Sequence, residues 1–255
     1  MRLVAGIHPV REALRARRPL DKVLIAKGSV GPRIQELVEL CREHSVPVRF
    51  EPRDALDRAS KGISHQGVLA FGAAHTYVEL GAVIPEARLL VVLDGIEDPH
   101  NLGAIVRTAH AAGAAAVIVP ERRAAPLTET VSKAAAGALE YLPVVRVTNI
   151  SRTLEELKEQ HFWVYGLDER GDQLYDHVDF AIPTAIVLGA EGNGLHENVK
   201  KHCDLLLKIP MAGAVSSLNV SVAAGIVLFE WGKRQRSNSG RGTGLQPAVG
   251  PSMLG

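Results

Sequence analysis

Short apolar runs alternate with helical segments through residues 89–236, and this alternation constrains the fold more than any other feature. The runs LLVVLDG, AAAVIVP, AIVLGAE and DLLLKIP are rich in Val, Ile and Leu and do not alternate with polar residues. Strands of this kind are buried on both faces, as in a parallel sheet that is covered by helices. The sequence therefore predicts an α/β fold with a parallel sheet for this part of the chain.

A smaller unit of alternating helix and strand patterns precedes this region. Residues 1–75 contain the helical segments GIHPVREALRAR and RIQELVELCREH and the strand-like segments DKVLIAK and GVLAFG. They carry 13 Lys and Arg against 8 Asp and Glu, whereas the rest of the chain carries 16 against 20. The basic charge favours an anionic partner, although a solvated surface would show the same charge. We expect domains at 1–75 and 89–236, joined by a linker at 76–88.

The composition excludes several classes of protein. The chain has 255 residues, of which 46% are apolar, and this is enough for two modest cores. No uninterrupted apolar run approaches the ~18 residues of a membrane span, and MRLVAGIHPVREALRARR lacks a signal-peptide core. The two cysteines, Cys41 and Cys203, form no CxxC pair, which favours a reducing cytoplasm over a disulfide or zinc framework. The Ser-, Gly- and Pro-rich tail 237–255 is predicted to be disordered.

Three predicted strand ends carry polar residues that a buried sheet does not require. In DGIEDPHNLGAIVRTAHAAG (94–113), Asp98 and Pro99 suit a helix start, which leaves Asn101 and Arg107 unexplained. A lone helix arginine is most often simply solvated. Ligands of parallel sheets gather at the carboxyl ends of strands, so this stretch is a candidate site.

The second and third stretches lie at later strand ends. In VLGAEGNGL (187–195), three glycines surround Glu191, which fits either a flexible turn or a close backbone approach to a ligand. The spacing matches neither the dinucleotide-binding fingerprint nor a P-loop. In IPMAGAVSSLNVSVAAG (209–225), Ser216 or Ser217 could cap the apolar helix that follows. Such a cap does not account for Asn219.

Together, and in this order, the three stretches resemble motifs of a known enzyme family. DPHNLGAIVRTA, LGAEGNGL and IPMAGAVSSLNVSVAAG resemble motifs 1, 2 and 3 of the SPOUT RNA methyltransferases, in the TrmH-like 2′-O-ribose branch. GIHPVREAL and SHQGVLA resemble the L30e-like RNA-binding domain of bacterial 23S rRNA guanosine-2′-O-methyltransferases. The resemblance covers residues 1 to about 235.

The resemblance implies a fold, a cofactor and a set of functional residues. It implies a trefoil knot in the C-terminal domain, a homodimer, and transfer of a methyl group from S-adenosylmethionine to a guanosine 2′-hydroxyl of 23S rRNA, without a metal. The cofactor positions that it implies are Gly189, Ile209 and Leu218. The catalytic positions are Asn101, Arg107, Glu191, Ser217 and Asn219. The basic charge and the resemblance together suggest RNA phosphate contacts at Arg11, Arg15, Arg17 and Arg18.

Four alternatives remain open at this point. Within the class they are a tRNA 2′-O-ribose methyltransferase, disfavoured because that enzyme lacks an L30e-like domain, and a thiostrepton-resistance type enzyme that acts on an rRNA adenosine. A non-enzymatic RNA-binding or ribosome-assembly protein is disfavoured by the presence of Asn101, Arg107, Glu191 and Asn219. A dehydrogenase is disfavoured by the poor dinucleotide fingerprint. The RNA partner is either naked 23S rRNA or an assembly intermediate of the ribosome.

Overall fold

The first domain is a small mixed sheet with three helices. The computed structural model describes residues 2–73, 75–190, 192, 194–213 and 217–240. The strands are β1 (Arg2–Ala5), β2 (Leu20–Ala26), β3 (Val48–Glu51) and β4 (Val68–Gly72), and the helices are α1 (Ile7–Arg15), α2 (Pro32–Glu43) and α3 (Arg53–Ser60). The sheet order is β1-β4-β2-β3, in which only β2 and β3 are parallel. All the predicted elements of this domain are present, and β1 is an addition that the sequence did not predict.

The second domain is built on a sheet of seven parallel strands. The strands are β5 (Leu89–Asp94), β6 (Ala116–Pro120), β7 (Val144–Val147), β8 (Trp163–Leu167), β9 (Gln173–Leu174), β10 (Thr184–Gly189) and β11 (Leu205–Lys208). The helices are α4 (Pro99–Ala112), α5 (Glu129–Ala134), α6 (Ile150–Glu159), α7 (Glu197–Lys200) and α8 (Val220–Gly240). The strand order is β7-β6-β5-β10-β8-β11-β9, and every pair is parallel. This confirms the α/β fold with a parallel sheet.

Helices cover both faces of the large sheet and create a core on each side. Along β5, Leu89, Val91 and Leu93 point into the core beneath α4 and α8, whereas Leu90 and Val92 point into the core beneath α6. All five side chains are fully buried. This explains why the strands lack polar alternation, because neither face of the sheet meets water.

The two domains pack against each other through α1 and the segment that follows α5. The segment LTETVSKAAAGAL (127–139) has a sequence typical of one continuous helix, but α5 stops at Ala134, and a short 3₁₀ helix follows at Ala138–Glu140. Gly137 separates them with φ 96°. A Cβ atom at Gly137 would lie 2.5 Å from the Cβ of Glu12 on α1. The contact between domains therefore requires a glycine where the local pattern suggested a continuous helix.

The boundaries of the second domain differ slightly from the predicted ones. The predicted linker contains a 3₁₀ helix at Leu80–Ala82, and Val78 forms an isolated parallel bridge with Val145. Helix α8 continues to Gly240, past the expected start of the tail at Ser237. The rest of the predicted tail, 241–255, lies outside the described residues. Within the part of the chain that the structure describes, no helix is long and apolar enough to cross a membrane.

Candidate active site

A cavity of about 480 Å³ opens at the carboxyl ends of β8, β10 and β11. Volumes of this size are typical of small-molecule sites. We call it the strand-end cavity. Its wall includes all three predicted cofactor positions and one predicted catalytic residue: Gly189, Ile209, Leu218 and Ser217. The structure thus brings together residues from two of the three sequence motifs.

Gly189 ends β10 in direct contact with the backbone of the following loop. A Cβ atom at this position would lie 2.1 Å from the carbonyl carbon of Gly194 and 2.4 Å from the nitrogen of Leu195. The loop is closed by a hydrogen bond in which the Gly194 N–H donates to the Ala190 carbonyl over 2.9 Å. Only glycine allows this approach, so the loop between β10 and α7 depends on Gly189 for its position beside the cavity.

A buried ion pair forms one charged part of the cavity wall. The Lys200 ammonium lies 2.9 Å from a carboxylate oxygen of Asp168 and 3.0 Å from Glu197. Burial raises the pKa of Asp168, but the hydrogen bonds from Lys200 and the Arg170 backbone outweigh it, so the net shift is downward. The hydrogen bonds to Asp168 and then Glu197 raise the pKa of Lys200. Lys200 therefore stays protonated and cannot accept a proton from a substrate hydroxyl.

The two cysteines are also unsuited to catalysis. Burial raises the pKa of Cys41 to about 11 and that of Cys203 to about 12, so the thiolate is scarce at neutral pH. Both thiols are free. Among the described residues, no group of three or more His, Cys, Asp or Glu side chains is placed to hold a metal ion.

Asn219 joins motif 3 to motif 1 and also begins helix α8. Its side-chain oxygen accepts hydrogen bonds from the backbone N–H of Ser221 (2.9 Å) and from the Ser221 hydroxyl (2.6 Å). Its amide nitrogen donates to the side-chain oxygen of Asn101 over 3.0 Å. The capping bonds fix the amide orientation, because only the oxygen can accept from a backbone N–H. The helix cap that we considered for Ser216 or Ser217 is therefore provided by Asn219 itself.

A second cavity, of about 440 Å³, lies on the motif 1 side of the strand-end cavity. We call it the Arg123 cavity. Its polar wall residues are Glu97, Asp98, Asn101, Arg123 and His196. It shares Ala190 and Val220 with the strand-end cavity, so the two cavities adjoin each other. Asp98 also confirms the predicted start of α4, because its carboxylate accepts from the His100 N–H over 2.9 Å.

One of the predicted catalytic residues is not brought to these cavities, and another falls on a position that the structure does not describe. Arg107 is exposed on α4 and is not among the wall residues of either cavity. It follows Asn101 by six positions, which is roughly 9 Å along a helix axis. Glu191 lies outside the described residues. Asn101 and Ser217 are thus the predicted catalytic positions that line a cavity, and Asn219 is hydrogen-bonded to Asn101.

The predicted RNA-binding arginines lie in different environments. Arg18 is poorly placed for a phosphate contact, because its side chain is only 8% exposed and lies 3.0 Å from Glu140 of the second domain. It also contacts His75 over 2.8 Å, and this cluster ties the domains together. Arg11 and Arg15 are exposed to different degrees and pair with acidic neighbours on α1 and α2. Arg17 is the member of the set that is exposed and has no recorded ion pair among the described residues.

Several residues of the site were not predicted from the sequence. Asp94, His196 and Arg123 form a connected group at the second cavity. Asp94 could have been noticed, because a carboxylate ends the buried strand LLVVLD immediately before a glycine. His196 directly follows LGAEGNGL, whereas nothing in the local pattern distinguishes Arg123 from Arg122.

Comparison with known proteins identifies the family of the chain. Residues 88–229 match the model of the SpoU rRNA Methylase family, and residues 3–78 match the RNA 2′-O ribose methyltransferase substrate-binding domain. A Bacillus subtilis protein, YacO, named as a TrmH family tRNA/rRNA methyltransferase, is 44% identical over 89% of this chain and 93% of its own length.

Solved structures agree with this match. The SpoU methyltransferase AviRb from Streptomyces viridochromogenes, in complex with AdoMet, superposes with a TM-score of 0.76 at 28% identity, over 92% of this chain and 90% of its own. A crystal structure described as an RNA 2′-O ribose methyltransferase superposes with a TM-score of 0.77 at 28% identity, over 92% of this chain and 88% of its own. The chain therefore belongs to the SpoU methylase family, and it is an RNA 2′-O-methyltransferase that uses S-adenosylmethionine.

Proposed function

We propose that the protein methylates the 2′-hydroxyl of a guanosine in 23S rRNA. The observation that carries an rRNA target is the basic first domain, which matches a substrate-binding domain over residues 3–78 and resembles the L30e-like domain that the tRNA enzyme lacks. Labelled S-adenosylmethionine, incubated separately with 23S rRNA and bulk tRNA, tests the proposal by which RNA takes up the label. We place the reaction in the cytoplasm, where Cys41 and Cys203 remain reduced thiols.

The strand-end cavity suits the methyl donor. S-adenosylmethionine supplies a methyl group on a sulfonium cation, which an oxygen nucleophile can attack. Three carboxylates and two cationic side chains line the cavity, namely Asp168, Glu169, Glu197, Arg170 and Lys200. An excess of negative charge complements the cationic sulfonium. We assign donor binding to the backbone at Gly189, Ile209 and Leu218, which reach the cavity from β10, from the segment after β11 and from the segment before α8.

The remaining positions orient the acceptor. Asn101 lies in the wall of the Arg123 cavity and accepts a hydrogen bond from Asn219, and Ser217 lies in the wall of the strand-end cavity. We propose that these groups position the ribose for an in-line approach to the methyl group. We assign Arg107 to the RNA phosphate and the 2′-hydroxyl. It orients the hydroxyl and stabilises charge rather than removing the proton, because a guanidinium is a donor without an acceptor site and does not give up its charge in proteins. We propose that Glu191 also takes part in the reaction.

We propose that two copies of the chain form a dimer through α8. This helix presents an apolar stripe at Val222, Ile226 and Phe229, of which Val222 is 51% and Phe229 50% exposed. Exposed apolar residues in such a stripe are typical of a subunit interface. Sedimentation at micromolar concentration should therefore report about twice the chain mass of 27.3 kDa.

A charge in the stripe should separate the two copies. Phe229→Glu is expected to shift the protein to a monomer and to lower methyl transfer at least tenfold, because a buried unpaired carboxylate opposes association. Val30→Glu is a matched control, since Val30 is 89% exposed on the first domain. A wild-type protein that sediments as a fully active monomer would contradict the dimer proposal.

Substitutions at two adjacent arginines, Arg17 and Arg18, should separate a contribution to RNA binding from a contribution to domain packing. Arg17→Ala should weaken RNA binding and reduce the slope of log K against log salt by about one, as expected for the loss of a phosphate contact. Arg18→Ala should instead lower the melting temperature, because it leaves Glu140 buried without its arginine. Filter binding at several salt concentrations, together with thermal melting, measures both effects. An unchanged salt slope in Arg17→Ala would remove this residue from the RNA-binding surface.

The trefoil knot implied by the resemblance remains a prediction for the second domain. The direct backbone contact of Gly189 with Gly194 and Leu195, and the insertion of β10 between β5 and β8, favour a tightly crossed chain in this region. Knots are very rare in proteins, so the general rules of chain topology do not predict one.

A further inference from the structure

The Arg123 cavity contains a connected chain of three polar side chains that has no role in donor binding. Asp94, buried at the end of β5, accepts from the backbone N–H of His196 over 2.8 Å, and the same oxygen lies 3.0 Å from His196 Nδ1. A carboxylate only accepts, so Nδ1 carries the proton. Arg123 Nη1 lies 3.2 Å from His196 Nε2. A guanidinium only donates, so Nε2 accepts. The two bonds select one tautomer and hold the guanidinium in place.

The backbone of Arg123 is also held in an unfavourable conformation. Its φ is 59°, in the left-handed region that arginine rarely adopts. Strained residues of this kind persist where the surroundings fix them, and they concentrate at functional sites. The adjacent Arg122 is equally exposed but does not line either described cavity. The structure therefore singles out one of two neighbouring arginines.

The position of the cavity indicates which part of the substrate it receives. It shares Ala190 and Val220 with the strand-end cavity, where the methyl donor is assigned. In a nucleotide, the 2′-carbon is bonded directly to the carbon that carries the base. The base of the target nucleotide must therefore lie beside the point at which the 2′-oxygen meets the donor. A volume of about 440 Å³ is sufficient for one base that is turned out of its stack.

The charges in the wall match one base better than the others. Guanine presents two acceptors, O6 and N7, on one edge and donors, N1–H and the 2-amino group, on another. Arginine is the usual bidentate partner of O6 and N7, and carboxylates accept from amino donors. The cavity provides Arg123 and the exposed carboxylate of Glu97. Adenine has an acceptor at N1, which a carboxylate would repel.

We propose that the Arg123 cavity binds the guanine of the target nucleotide, with Arg123 donating to N7 and O6 and Glu97 accepting from N1–H and the 2-amino group. Asp94 and His196 act as positioning residues for Arg123. This inference rests on the proposed guanosine methylation and names the group that selects the base.

Single-atom changes in the RNA test each contact. The substrate is a 23S rRNA fragment that the wild-type protein methylates, carrying guanosine, 7-deazaguanosine or inosine at the target. For the wild type, kcat/KM should fall about ten- to hundredfold with 7-deazaguanosine, which lacks N7, and by a similar factor with inosine, which lacks the 2-amino group. For Arg123→Ala, kcat/KM on guanosine should be lower than that of the wild type by a similar factor. Replacing guanosine with 7-deazaguanosine should not lower it further. For Glu97→Ala, kcat/KM should be the same with inosine as with guanosine, whereas the decrease with 7-deazaguanosine should remain.

Two controls separate recognition from folding. Arg122→Ala should keep the full wild-type pattern, and calorimetric binding of S-adenosylmethionine should be unchanged in every variant. Should Arg123→Ala fail to fold, Arg123→Met carries the test, because methionine keeps an unbranched aliphatic side chain without any N–H donor and should also lose the 7-deazaguanosine penalty.

The outcomes separate this inference from the proposed function. Equal 7-deazaguanosine penalties in the wild type and the Arg123 variants would overturn the base assignment while guanosine methylation stands. A methyl group mapped to a nucleoside other than guanosine would overturn the proposed function and the guanine assignment with it.

Discussion

Gly189→Ala is expected to abolish binding of S-adenosylmethionine and, with it, methyl transfer. The new methyl group would lie 2.1 Å from one backbone carbon and 2.4 Å from one backbone nitrogen of residues 194 and 195. Neither atom can move without shifting the whole loop that borders the strand-end cavity. A displacement of about 1 Å at a site of this kind can cost about 10²-fold in function, so we expect the donor affinity to fall at least that much.

A glycine-to-alanine substitution at a nearby position, Gly213, provides the control for Gly189→Ala. Among the residues that the structure describes, none places an atom within 4 Å of the position that a Cβ of Gly213 would take, and Gly213 lies two residues from Met211 in the cavity wall. Gly213→Ala should therefore bind the donor as the wild type does. Calorimetry measures the binding, and circular dichroism checks that both variants are folded. A folded Gly189→Ala variant with wild-type affinity would show that the cavity does not hold the methyl donor.

Arg107→Ala is expected to remove methyl transfer while leaving donor binding intact. Arg107 is exposed on α4 and lies outside the wall of the strand-end cavity, so its loss should not disturb the donor. Removal of one group that stabilises charge in an enclosed site costs about 10²–10³ in rate. Arg107→Lys should recover little of this, because lysine lacks the planar fork that can hold phosphate and hydroxyl together.

The matched control for this variant is another exposed helix arginine. Arg152 lies on α6, on the opposite face of the sheet from α4, and Arg152→Ala should retain full activity. The measurement pairs calorimetric donor binding with single-turnover methylation for each variant. Turnover near the wild-type rate in Arg107→Ala would exclude this residue from the mechanism and direct attention to Glu191 or Asn219.

The sequence predicted those parts of the fold whose physical cause is visible in a short stretch of residues. The runs that became β5, β6 and β10 have apolar interiors without polar alternation, because both faces of the sheet are covered, and this property is visible without any knowledge of contacts. The motif residues were predicted by resemblance. The structure then placed Gly189, Ile209, Leu218 and Ser217 on one cavity.

Two features that the sequence does not predict depend on contacts between residues far apart in the chain. The helix after Thr128 is interrupted at Gly137 because Glu12 of the first domain occupies the space beside it. Arg18 is buried because Glu140 lies opposite it, although its sequence neighbourhood is basic and polar. Such pairings have no local pattern in the sequence.

The Arg123 group escaped prediction for the same reason. His196 selects Arg123 over Arg122 only through a bond that spans 73 positions, and it is itself held by Asp94 across 102 positions. Asn219 is different, because its two roles are both visible in the structure: it caps α8 and bonds Asn101. From the sequence we expected a functional role for Asn219 and a helix cap at Ser216 or Ser217.

The most direct test is to identify the nucleoside that receives the methyl group. The protein is incubated with S-adenosylmethionine labelled on its methyl group and with 23S rRNA, and the RNA is then digested to nucleosides and separated. The account predicts that the label elutes as 2′-O-methylguanosine from a single site in 23S rRNA, with no transfer to bulk tRNA. Label in a methylated base, in 2′-O-methyladenosine or in tRNA would contradict it.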